Sequence, residues 1–127
     1  MPEIVFPKPR DTEIPGFACH NDNVKLAGAV TVCDLMKYDA NGGVKNPTNN
    51  PRPNCVALHT GVIGQWISVG NQGELAGFDR TGINPGDFVY PSGTVAGGMA
   101  TGAQAQSGAP PVGHISPDGE RIVFTLV

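Results

Sequence analysis

The stretch "PVGHISPDGERIVFTLV", residues 111–127, shows the fold on a small scale. Ile122, Phe124 and Leu126 alternate with Arg121, Val123 and Thr125, a period of two that puts successive side chains on opposite faces of a strand. Ser116-Pro117-Asp118-Gly119 places proline and glycine where a type I turn takes them. The segment therefore predicts an antiparallel hairpin, "PVGHI" against "ERIVFTLV", with one apolar face turned inward. An isolated hairpin is marginal in water, so other strands must cover that face.

Those strands are sought upstream. "GDFVYPSGTVAGG", residues 86–98, alternates apolar and polar residues and stops at a Pro-Ser-Gly corner, which reads as a strand and its turn. "DRTGINPGD" at 79–87 is another corner. "CVALHTGVIGQWISVG" at 55–70 is apolar and β-branched with glycines at 61 and 64, one long bent strand or two short ones. "NQG" at 71–73 is expected to turn it back into "ELAGF". Val24, Leu26, Val30 and Val32 fall on one side of a half-buried strand, and "CDLMKYDA" at 33–40 suggests a helical turn with Asp34 near its cap. Two segments read as mobile loops: the Asn/Pro-rich residues 41–54, and residues 96–111, which hold too little apolar surface to offset the entropy of ordering.

Prolines at 2, 7, 9 and 15 make residues 1–16 an extended arm around Ile4, Val5 and Phe6. It is read either as an edge strand packed on its own domain or as an arm gripping a neighbouring subunit. Residues 17–127 then form a single β-domain. The totals agree with an all-β chain: 127 residues, with 18 glycines, 12 prolines and 15% charged residues, favour turns and extended segments over long helices. The fold class expected is a small antiparallel barrel or sandwich, tulip-like or jelly-roll-like.

Net charge is -3 and the basic residues are scattered, so nothing attracts a nucleic-acid backbone. No run approaches the roughly 20 apolar residues of a membrane span, and "MPEIVFPKPR" has no apolar core of signal-peptide length, so a chain made and kept in the cytoplasm is expected, with no membrane partner. Cys19, Cys33 and Cys55 are odd in number and lack a C-x-x-C pair, which fits reduced, mostly buried thiols.

Reactive constellations fare poorly. Cys19, His20, Cys33, Cys55, His59 and His114 match no zinc spacing, so no metal or other cofactor is expected. Ser92, His114 and Asp87 could meet in space, but no G-x-S-x-G elbow surrounds Ser92, which reads as a turn residue. Asp11 with Glu13, and Asp118 with Glu120, read as solvated charge in arm or turn contexts. No catalytic residue is assigned, and the chain is not expected to be an enzyme. The only tryptophan, Trp66, lies in an apolar strand and is expected in the core, which weakens a carbohydrate-binding reading.

Gly86, Asp87, Val89 and Tyr90, then Pro111, Val112 and Gly113, then the hairpin from Gly119 to Val127, together resemble the head decoration, or cement, proteins of tailed bacteriophages. In these a G-D-x-V-Y strand and glycine turn precede a variable Ala/Thr/Gly tract, a P-V-G strand and a closing hairpin. The resemblance covers residues 74–127. It implies an all-β barrel or sandwich, commonly trimeric, that binds the outside of an expanded icosahedral capsid through the major capsid protein and stiffens it, without catalytic residues. On this reading the chain is synthesised in the host cytoplasm and ends on the virion exterior, with Ile4, Val5, Phe6, Pro7, Pro9 and Arg10 as the expected capsid or subunit interface. The rival expectation is a receptor- or glycan-binding β-module of a phage fibre or adhesin, presenting residues 41–54 and 96–111 to its ligand.

Overall fold

The computed structural model describes residues 3–5 and 21–126. The described residues form eleven short strands: β1 (Glu3–Ile4), β2 (Asn21–Lys25), β3 (Leu35–Asp39), β4 (Gly42–Lys45), β5 (Cys55–Ala57), β6 (Trp66–Gly70), β7 (Gln72–Leu75), β8 (Phe88–Pro91), β9 (Met99–Ala100), β10 (Gly113–Ile115) and β11 (Ile122–Thr125). One sheet has six strands in the order β1-β9-β8-β10-β11-β7, and the other has five in the order β2-β6-β5-β3-β4. Every paired strand is antiparallel to its neighbour. The all-β expectation holds, as a small barrel-like sandwich.

The five-stranded sheet curls until its edges meet. Just past β2, Leu26 forms a bridge with Gly43 of β4, and the Ala27 N–H donates to the Gly43 carbonyl at 2.8 Å. So tight a curl leaves little room inside. A Cβ on Gly43 would stand 2.8 Å from both Met36 Cε and Val24 Cγ1, so glycine is the residue that fits.

Two apolar clusters result. Val24, Leu26, Val30, Met36, Cys55, Ala57, Ile67 and Val69 fill the curled sheet, while Leu35, Val56, Leu75, Val89, Met99, Ile115, Ile122 and Phe124 lie between it and the six-stranded sheet. β3 and β5 serve both clusters, because Leu35 and Val56 face one and their neighbours Met36 and Cys55 the other. β5 is accordingly buried at every position, as a central strand covered on both faces must be.

The terminal hairpin forms as expected. Ile115 pairs with Ile122, the Gly119 N–H closes the turn on the Ser116 carbonyl at 2.9 Å, and Ile122, Phe124 and Leu126 point into the core. Gly113 is part of the same design, since a Cβ there would run into the carbonyl oxygen of Val123.

Four expectations need correction. Residues 35–39 are strand β3 and not a helical turn, because Leu35 and Met36 must reach opposite clusters, which successive strand residues do and a helix does not. Asp34 instead holds the preceding turn, its Oδ2 accepting the Thr31 N–H at 2.8 Å. Within residues 41–54, Gly42–Lys45 is strand β4, hairpinned onto β3. "NQG" does not return the chain onto β6: after Asn71 it crosses to the other sheet, where β7 pairs with β11. Within residues 96–111, Met99–Ala100 is the buried strand β9 and Gly102–Gln104 a 3-10 turn. The large apolar residue in that tract, Met99, suffices to anchor it.

Candidate functional site

The N-terminal segment was the expected interface, and the described part of it divides. Ile4 is 6% exposed and belongs to the core cluster, with β1 forming the edge of the six-stranded sheet against β9. The edge-strand reading thus describes Ile4, whose side chain is buried in its own domain. A carboxylate latch holds this strand: Glu3 accepts hydrogen bonds from the hydroxyls of Ser92 and Thr94. Val5 is half exposed, and its carbonyl accepts the Asp79 N–H. Phe6, Pro7, Pro9 and Arg10 lie outside the described residues, as do Asp11, Glu13, Cys19 and His20.

The loops expected to present a ligand surface do come together. Asn46, buried, donates from Nδ2 to the Asn50 carbonyl at 3.0 Å and accepts from Asn50 Nδ2 at 2.7 Å. Gln106 Nε2 reaches across to the Asn50 carbonyl at 2.9 Å and the Pro47 carbonyl at 3.2 Å, and the Gly97 N–H donates to the Asn46 carbonyl at 2.8 Å. Between the loops runs a shallow cleft lined by Thr48, Asn49, Pro51, Thr94, Gln104 and Ser107. Asp34 lies beneath this junction, 3.9 Å from Lys45 Nζ. Burial pushes its carboxyl up to about 6, against the Thr31 N–H and the Lys45 charge, which pull it down.

The residues considered for chemistry stay apart. Ser92 Oγ, besides donating to Glu3, accepts from the N–H groups of Thr94 and Val95, so it builds a turn. His114 is in register with Phe88, four residues earlier on β8, which puts it roughly 13 Å from Ser92 along the strand direction. Asp87 instead accepts the Asn84 N–H through Oδ2. Asp118 accepts from Ser116 and the Glu120 N–H, and Glu120 pairs with Arg80 at 3.4 Å. Cys33 and Cys55 belong to different apolar clusters, and His59 is exposed. Among the described residues no group of three or more His, Cys, Asp or Glu is placed to hold a metal ion. No described helix is long and apolar enough to cross a membrane.

Apart from Val5 and Val95, the exposed large apolar side chains of the described residues stand in two places. On the outer face of the six-stranded sheet, Phe88 is 59% exposed and stands opposite His114, which stands opposite Val123, followed by Glu74. Directly opposed residues share a face, so these four form a row across β8, β10, β11 and β7. Arg121 pairs with Glu74 at 3.6 Å at the end of the row. On the outside of the curled sheet, Trp66 is 67% exposed, next to a turn that lifts Val62 and Ile63 into solvent. That turn is closed by the Gln65 N–H on the Val62 carbonyl and by the Val62 N–H on Gln65 Oε1.

The exposure of Trp66 corrects the core assignment. Along β6 it is Ile67 and Val69 that point inward, so the residue before them faces out regardless of its size. The signal was available in the alternation, but the apolar run around it masked which phase would be buried. No family model matches the chain, and neither curated proteins nor solved structures give a match.

Proposed function

We propose that this chain is a structural protein of a tailed bacteriophage, a decoration protein that binds the outer surface of the icosahedral capsid and stabilises it. One observation carries the reading. The segments whose residues resemble that family become β8, β10 and β11, which are neighbours in one sheet and together present Phe88, His114 and Val123 to solvent. Phenylalanine is among the aromatic residues enriched at protein–protein interfaces, so an exposed one in a sheet face supports a docking role. The partners are the major capsid protein and, in a homotrimer, other copies of the chain. Many symmetric copies add avidity, so a modest contact per subunit holds the shell. The work asked of the protein is docking, and it requires no catalytic group, metal or cofactor.

The test mixes the purified chain with expanded, undecorated capsids of the phage that encodes it. Saturable co-sedimentation at a fixed ratio to capsid subunits is expected, with a higher temperature of capsid disruption. Phe88→Ser, at an exposed position, should weaken that binding on the order of tenfold while leaving the circular dichroism spectrum unchanged. Capsids that sediment without the chain would refute the reading.

A further inference from the structure

Trp66 stands where two open clefts meet. One, of about 440 Å³, is lined by Asn23, Lys25, Tyr38, Asp39 and Asn41 together with Trp66. The other is lined by Asn23, His59, Thr60, Gln65 and Ser68, again with Trp66. Strand pairing explains the grouping. Lys25 is directly opposite Trp66 and Asn23 directly opposite Ser68, and all four face outward because Val24, Ile67 and Val69 take the inward positions. Ser68 Oγ donates to Asn23 Oδ1 at 3.3 Å, which fixes the polar end of the group. The hairpin between β3 and β4 brings in Asp39 and Asn41, held by the Asn41 N–H on Asp39 Oδ1 at 2.8 Å.

The chemistry of this arrangement is specific. A solvent-facing indole offers a flat apolar surface with a polar edge, and amides, a carboxylate, an ammonium and hydroxyls surround it as paired donors and acceptors. That combination matches a pyranose, which has an apolar C–H face and a rim of hydroxyls. One cation, Lys25, is balanced by Asp39 in the same cleft, so the site has no excess charge with which to select a polyanion. Because a mixed cleft with polar groups at its rim flanks the ring on one side and a mainly polar cleft on the other, it suits a chain of sugars crossing it better than a single one.

We infer that Trp66 and its two flanking clefts form a binding site for a neutral oligosaccharide, with the indole as the stacking platform. This goes beyond capsid docking and does not depend on it. A particle coated with such sites would gain many contacts to glycan-bearing surfaces, each one modest.

The sole tryptophan of the chain is the platform itself, so its fluorescence reports directly on occupancy. Purified protein is applied to an array of neutral oligosaccharides, and hits are titrated by Trp66 emission and by calorimetry. Saturable binding with a shifted or quenched emission is expected. Trp66→Ala should weaken it on the order of tenfold or more, and Trp66→Phe, which keeps a flat ring, should retain part of the affinity. Binding of Trp66→Ala to bare capsids should match the parent, which separates this inference from the docking proposal. An array without a saturable hit, or a hit that Trp66→Ala leaves intact, overturns it. So does a loss of capsid binding in Trp66→Ala without any glycan signal, since Trp66 would then belong to the docking surface.

Discussion

Replacing Asp34 by asparagine should make the protein more stable at neutral pH and leave it unchanged in acid. In the unfolded chain this carboxyl titrates near 3.8, whereas in the folded chain burial raises it to about 6. Between those values the folded chain holds a proton that the unfolded chain has released. The group's stabilising contribution is therefore complete below about pH 3.8 and is lost progressively as pH climbs through about 6. Over that interval the linkage amounts to about 3 kcal/mol. The side chain is only 18% exposed, so little of this is screened away. Asparagine keeps an oxygen for the Thr31 N–H and never ionises, and the attraction to Lys45, 3.9 Å away, that it forgoes is already contained in the raised value. A net gain approaching about 3 kcal/mol at neutral pH is expected, shrinking toward zero near pH 4. Urea unfolding of both proteins across that range, followed by circular dichroism, measures the gap, and other carboxylates cancel because both chains share them. Trp66 is a poor reporter here because it is already solvent-exposed in the folded state. A gap that is constant with pH, or that widens in acid, would refute the burial argument.

Gly113→Ala should destabilise the fold by about 2 kcal/mol or more, since the new Cβ meets a strand backbone that cannot step aside, and a lowered denaturation midpoint checks it. Ile4→Ala should cost about 2 kcal/mol in the same assay and raise hydrogen exchange at Met99 and Ala100, the residues paired with β1. An Ile4→Ala protein as stable as the parent would return that side chain to the surface.

The sequence was most readable where structure is local. The turn at residues 116–119 and the alternation of Ile122, Phe124 and Leu126 lie next to one another, so the hairpin needs no distant information. β4 was hidden because "GGVK" presents two glycines where a strand signal needs side chains, and those glycines are dictated by the curl of a sheet whose closing partner, Leu26, is distant in sequence. The crossing at Asn71 was unreadable for the same reason: β7 is recruited by β11, some fifty residues later, and a turn-like tripeptide does not say which strand follows which. The Trp66 clefts draw on β2, the β3–β4 hairpin, the segment after β5 and β6. No one stretch contains the site, and its central residue was assigned inward because burial depends on phase as much as on hydrophobicity. Composition singles out the loops at 41–54 and 96–111, but their mutual attachment rests on one polar side chain, Gln106, whose partners Pro47 and Asn50 are distant in sequence.

The wall formed by β3 and β5 has a consequence for how the molecule fails. Because Leu35 and Val56 look one way while Met36 and Cys55 look the other, peeling open either half strips a face from the partition that the remaining half leans on. Neither half can survive the other, and denaturation should run as a single all-or-none event without a half-melted species. In the capsid role proposed above, that partition would make strain entering at one surface borne by the whole body until it gives way at once.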